Sequence, residues 1–145
     1  MTQMPIAPEN RKMRVLAAED NKTNQLVFNK MVKGLNIDLV FANDGQEAVA
    51  TFKTFKPDLI FMDISMPIMD GKEATRAIRK LEKGMTKAVG IVAVTAHAMQ
   101  GDDKSILEAG LDHYLTKPLR KFAIHGKLSE YLPKGAEPLG DLALK

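Results

Sequence analysis

Five residues of this chain stand where an apolar run gives way to a turn: Glu19 and Asp20 after MRVLAA, Asp63 after DLIFM, Thr95 near the end of GIVAVTA, and Lys117 after DHYLT. Gathered at one place, they could handle a phosphoryl group. Crowded carboxylates repel one another and raise one another's pKa, so three of them want a cation. The chain has no cysteine, so a metal must sit on oxygens. Few protein oxygens plus phosphate oxygens suit Mg²⁺, which keeps several of its waters, and Mn²⁺ accepts the same donors. A carboxylate can also attack phosphorus to give an aspartyl phosphate. The metal would neutralise the charge growing on the phosphoryl oxygens, Lys117 would pair with it from the other side, and Thr95 would donate a hydrogen bond.

Whether the five meet depends on the elements that carry them. The opening MTQMPIAPENRK has two prolines and no periodicity, so residues 1–12 read as a flexible arm. From Met13 a short apolar run closes on Glu19 and Asp20 as a buried strand. From Asn24, the residues Phe28, Met31, Val32 and Leu35 fall on one helix face, with Gly34 near its stop. The alternation then repeats. IDLVFA is a strand; Asp44 and Glu47 resemble a capping box before a helix lined by Ala48, Phe52 and Phe55. DLIFM is continuously apolar, as expected when both sheet faces are covered. Asp70 and Glu73 form a second capping box before Ala74, Ile78 and Leu81, which gives Asp70 a structural job. The Met66-Pro67-Ile68-Met69 loop between them reads as packing that shapes the turn. GIVAVTA is the fourth strand, a helix covers 99–109, and DHYLTKPL holds a short fifth strand. Ile124, Leu128, Tyr131 and Leu132 mark a last helix closed by Pro133, and residues 134–145 read as a flexible tail.

Five strands alternating with five helices imply a doubly wound parallel sheet with right-handed crossovers and helices on both faces. In such sheets, sites form beyond the carboxyl ends of the strands, which is where these five residues fall.

Composition narrows the function classes. The 145 residues fit one domain, and 45% hydrophobic residues support a full core. The absence of a long apolar run or a leading signal pattern suggests no membrane span and a cytoplasmic protein. The net charge is +3, but basic residues are interleaved with acids throughout. The nearest approach to a patch, Lys72, Arg76, Arg79, Lys80 and Lys83, reads as a solvated or partner-facing helix, with no nucleic-acid stripe.

In order and spacing, VLAAEDN, LIFMDISMPIMDG, IVAVTA and YLTKP resemble the receiver domain of two-component response regulators. The resemblance covers about Met13 to Pro133. It implies a flavodoxin-like (βα)5 fold with strand order 2-1-3-4-5. It also implies Asp63 as phosphoacceptor, Asp20 and Asp63 as direct Mg²⁺ ligands, Glu19 acting through water, and the backbone carbonyl of Ser65 as a further ligand. It makes Thr95 the switch hydroxyl, Tyr114 the aromatic switch, and Lys117 the phosphate partner, with a cis Lys117-Pro118 bond. The implied donor is a phosphohistidine on a histidine kinase or a histidine phosphotransfer protein. The implied downstream partner reads the face of the fourth helix, fifth strand and fifth helix. None of His97, His113 and His125 sits in a donor pattern. Ser65 and His97, each two residues beyond a site residue, fall at positions that in this family influence how water reaches the acyl phosphate.

A rival of another class is a magnesium phosphohydrolase resembling the haloacid dehalogenases. That chemistry wants a second acid two residues after the nucleophile, and Ser65 stands there. A receiver alone is a phosphoacceptor and not an enzyme with turnover. AEDNKTNQLVFNKMV and NDGQEAV look most like receivers of hybrid sensor histidine kinases, with a stand-alone regulator as the alternative.

Overall fold

The computed structural model describes residues 11–85, 87–96 and 102–144. Ten elements alternate: β1 (Met13–Ala18), α1 (Lys22–Met31), β2 (Ile37–Ala42), α2 (Gly45–Phe55), β3 (Leu59–Asp63), α3 (Gly71–Leu81), β4 (Gly90–Thr95), α4 (Asp102–Glu108), β5 (His113–Thr116) and α5 (Lys121–Tyr131). All strand pairs are parallel, in the order β2-β1-β3-β4-β5 expected from the resemblance.

The unbroken apolar strands follow from cover on both faces. Along β3, Ile60 and Met62 enter one core with Leu16, Ala74 and Ile78, while Leu59 and Phe61 enter the other with Phe28, Ile124 and Leu128. All four are 2% exposed or less. Each such burial contributes about 1.5–3 kcal/mol, enough together to offset the several kcal/mol it costs to desolvate one carboxylate at the strand's end. A buried strand can therefore hold Asp63 in place.

Local chemistry sets the helix starts, with some departures from expectation. Asn21 caps α1 by accepting from the Asn24 N–H at 2.9 Å, so the helix begins at Lys22 and neither Glu19 nor Asp20 is needed as its cap. The helix ends at Met31, short of Leu35, and Gly34 turns the chain at φ +89°. Asp70 and Glu73 form the reciprocal box before α3. Ahead of α2 only half of that box exists: Asp44 accepts from the Glu47 N–H, but the Glu47 carboxylate turns to the Asn43 backbone and side chain, both at 2.9 Å. In the loop after β3, Met66 and Met69 pack on the core as expected, but Ile68 is 78% exposed with φ +69°. Of the basic residues on and after α3, Arg76, Lys80 and Lys83 are exposed, while Arg79 is structural. Arg79 bonds the Gly110 and Val89 carbonyls and pairs with Glu82 and Asp112.

Residues 1–10 of the expected arm lie outside the described residues, and the described ends of the chain are tied to the domain. Arg11 grips Asp58 through two hydrogen bonds of 2.7 and 2.8 Å. Residues 134–144 form a strap laid across the core of α1 and α5. Leu139 is 4% exposed within that core and Leu142 packs against it. Its backbone is fixed at three places: the Glu137 N–H donates to the Arg11 carbonyl, the Leu139 carbonyl accepts from the Asn36 N–H, and the Ala143 N–H donates to His125 Nδ1 at 2.8 Å. His125 is 1% exposed, and its Nε2 lies 2.8 Å from the Met31 carbonyl. An Nδ1 that accepts leaves Nε2 as the donor, so this histidine is a neutral pin between α1 and the strap. The apolar residues of 134–144 are too few and too widely spaced to show a period, and their partners lie far away in sequence.

Candidate functional site

The carboxyl ends of β1, β3, β4 and β5 open on one rim. There, ligand oxygens of Glu19, Asp20 and Asp63 all lie within 4.8 Å of one another. Asp63 is nearly buried, at 3% exposure, while Asp20 is exposed. Lys117 Nζ donates to Asp63 Oδ2 at 3.0 Å and lies 3.6 Å from Glu19 Oε1. The Ser65 N–H donates to the other Asp63 oxygen at 3.1 Å, so both carboxylate oxygens are held.

Each side chain is positioned by its own local device. The Glu19 N–H extends the β1–β2 ladder by donating to the Ala42 carbonyl, and its carboxylate accepts from the Asn21 N–H at 3.0 Å. The Lys117 N–H donates to the Thr95 carbonyl, tying the end of β5 to that of β4 just before a cis Lys117-Pro118 bond. The chain leaving Asp63 folds back closely: the Gly71 N–H donates to the Ile64 carbonyl, and a Cβ on Gly71 would come within 2.3 Å of the Asp63 carbonyl oxygen. Only glycine allows that approach.

Electrostatics at the rim are unbalanced. Burial pushes the Glu19 carboxyl above its ordinary value; the Asn21 N–H and Lys117 pull it down, while Asp63 pushes it up. For Lys117, burial opposes the charge, but the hydrogen bond and charge of Asp63, helped by Glu19, win and raise its pKa. One ammonium thus faces three carboxylates. A hard divalent cation fits this set, because it supplies the missing positive charge and takes oxygen donors.

Thr95 is 8% exposed at the end of β4, and Tyr114 is 39% exposed on β5. His97 lies outside the described residues. His113 sits 3.5 Å from Glu130 and His125 is the buried pin, so neither belongs to the rim. Sequence reasoning missed Gln25. It is 8% exposed, and its amide donates to the Glu19 carbonyl at 2.6 Å and to Asn43 Oδ1 at 3.0 Å, bracing the β1 exit against the β2 exit. A polar residue three places before Phe28, on the apolar face of α1, was the available signal. Beside the rim, a cavity of about 500 Å³ opens between α1 and residues 117–119, walled by Phe28, Met31, Phe41 and Phe61.

The model of the response regulator receiver domain matches residues 15–129. The chain belongs to this family. It is 39% identical over 129 residues to hybrid signal transduction histidine kinase I of Dictyostelium discoideum, covering 86% of this chain and 7% of that protein. It is 35% identical over 133 residues to the signal transduction histidine-protein kinase BarA of Escherichia coli, covering 91% of this chain and 14% of that protein. It therefore spans a small fraction of the length of these curated relatives. Among solved structures, it resembles the receiver domain of sensor histidine kinase PA1611 from Pseudomonas aeruginosa, which has a magnesium ion in its active-site cleft. The TM-score is 0.74 and the identity 37%, covering 83% of this chain and 97% of that one. It also resembles a chain of the co-crystal of the Saccharomyces cerevisiae phosphotransfer protein Ypd1 with the receiver domain of Ssk1. There the TM-score is 0.76 and the identity 37%, covering 84% of this chain and 90% of that one. No helix among the described residues is long and apolar enough to cross a membrane.

Proposed function

We propose that this domain accepts a phosphoryl group on Asp63 from a phosphohistidine and passes the signal on through a changed surface, as one station of a two-component phosphorelay. The observation that carries the proposal is the nearly buried Asp63, held by Lys117 at 3.0 Å and grouped with Glu19 and Asp20 within 4.8 Å. In the transfer, an Asp63 oxygen forms a bond to phosphorus as the bond from phosphorus to the imidazole nitrogen breaks, and the histidine leaves with the electron pair. Lys117 faces the charge that appears on the phosphoryl oxygens, and Thr95 donates to one of them. The Ser65 N–H and Lys117 fix the direction in which the carboxylate points, which supports attack from one geometry.

Glu19, Asp20, Asp63 and the Ser65 carbonyl would hold Mg²⁺, or Mn²⁺ in its place; bound there, the ion supplies positive charge against the transferring phosphoryl group. The donor is a histidine kinase or a histidine phosphotransfer protein, in keeping with the relatives above. Thr95 and Tyr114 form the switch, and the face of α4, β5 and α5 is what a downstream partner reads. The signalling unit takes in Arg11 and the strap and belongs to a hybrid kinase. The isolated domain is a phosphoacceptor without turnover on phosphate esters.

Incubation with Mg²⁺ and acetyl phosphate, followed by intact mass measurement, tests the central step. The parent chain gains one phosphoryl mass and Asp63→Asn does not. An unlabelled parent, or equal labelling of the variant, would refute it.

A further inference from the structure

A second cavity, of about 490 Å³, lies at the opposite end of the sheet, under the starts of β3 and β4. Asp58 and Gly90 are in its wall, and the five residues of β3 place it about 16 Å from Asp63 at ~3.3 Å per residue. No residue of the acid cluster lines it. Its inner surface is apolar, built from Phe52, Pro57, Val89 and the ring of Tyr131. That ring is a fixed wall: it lies so close on Gly90 that a Cβ there would come within 2.4 Å of it, and it meets His113 edge-on at 6.1 Å.

The rim has the opposite character. Lys53, Lys56 and Lys87 line the opening and are exposed, and their ammonium groups have no hydrogen-bond or ion-pair partner among the described residues. The two acids in the wall are already occupied. Asp58 gives both oxygens to Arg11, while Glu82 takes Arg79 and the Val89 N–H. The Tyr131 hydroxyl also lacks a hydrogen-bond partner among the described residues. Burial, Asp112 and Glu130 raise its pKa, so it stays a donor at neutral pH. Lysine in the last turn of a helix is ordinary, which accounts for Lys53. It does not account for Lys87 on the approach to β4, nor for Lys56, which takes the left-handed φ +53° at the end of α2 where glycine is the usual residue.

We propose that this cavity binds a small aromatic anion: a planar apolar body seated between Phe52 and Tyr131, with its carboxylate, sulfonate or phosphate held by Lys53, Lys56, Lys87 and the Tyr131 hydroxyl. The volume falls in the range of small-molecule sites, which are mostly apolar with a few convergent polar groups. An anion would pair with the three ammoniums and accept from the phenol together. The proposal is independent of the phosphoacceptor function.

Anilinonaphthalenesulfonate is the probe, titrated into the full chain with fluorescence and backbone amide NMR shifts read together. Shifts centre on residues 52–57, 87–90 and 131, and binding weakens as salt rises. Lys56→Gly suits the local backbone and keeps the fold, yet it and Lys87→Gln each weaken binding about fivefold, as expected for one exposed charge pair. Uncharged phenylnaphthylamine binds more weakly than the sulfonate, and Asp63→Asn changes nothing. Shifts centred on Phe28, Met31 and Lys117 would overturn the proposal, as would indifference to both lysine substitutions or equal affinity for the uncharged analogue.

Discussion

Replacing Leu139 with alanine tests whether the strap is part of the folded domain. The side chain is 4% exposed and packs in the core that holds Phe28, Val32, Ile124 and Leu128. The change removes three carbons, worth about 2.4 kcal/mol at ~0.8 kcal/mol each. A rigid site would add a cavity term and reach the upper part of the roughly 2–5 kcal/mol range for such substitutions. The strap lies at the surface and can settle into the gap, and the loss cannot exceed the free energy with which it docks. A loss of about 2–3 kcal/mol follows from these limits. In urea, with a slope of about 2 kcal/mol per molar, the unfolding midpoint falls by roughly 1–1.5 M. Leu144→Ala, at a side chain 55% exposed, is the control and shifts the midpoint little. A Leu139→Ala midpoint indistinguishable from the control would show that the strap contributes nothing and that the folded unit ends at Pro133.

Four further outcomes follow from the rim and its supports. Because a proton competes with a metal for the Glu19 carboxylate, whose pKa is raised by burial, apparent Mg²⁺ affinity falls as pH drops toward that raised value, and calorimetry in two buffers detects proton release on binding. Without metal the sign reverses for stability. The folded form holds the Glu19 proton more tightly than the unfolded chain, so its contribution is full below the ordinary value of 4.5 and lost as pH rises through the raised one; Glu19→Gln flattens that dependence in urea melts. Gly71→Ala drives a Cβ toward the Asp63 carbonyl, costing about 1–3 kcal/mol and slowing acetyl phosphate labelling, whereas an unchanged melting point would contradict the close approach. Gln25→Leu removes the brace on the Glu19 carbonyl; it costs about 1–3 kcal/mol and weakens Mg²⁺ binding, which a titration followed by amide shifts at Glu19 and Asp20 reports.

Much of this molecule is legible in its sequence because the signals are local. The unbroken run before Asp63 predicts a strand covered on both sides, and Ile60 and Phe61 do enter opposite cores. The Asp70 and Glu73 pair predicts a capping box and the structure has it, since cap geometry spans three residues only. The half-box at Asp44 shows the limit: Glu47 had a competing donor in Asn43, and spacing does not weigh competitors.

Sequence by itself determined the order of strands and helices and which residues stand at the strand ends, because periodicity and turn chemistry act over a few neighbours. Tertiary structure alone decided what those ends meet. Glu19, Asp63 and Lys117 are separated by dozens of residues, and only the parallel register of β1, β3, β4 and β5 brings them within bonding range. The same holds for the strap on His125 and for the lysine-rimmed cavity, whose walls come from α2, α3, β4 and α5. Contacts between distant segments leave no local pattern, so packing had to reveal them.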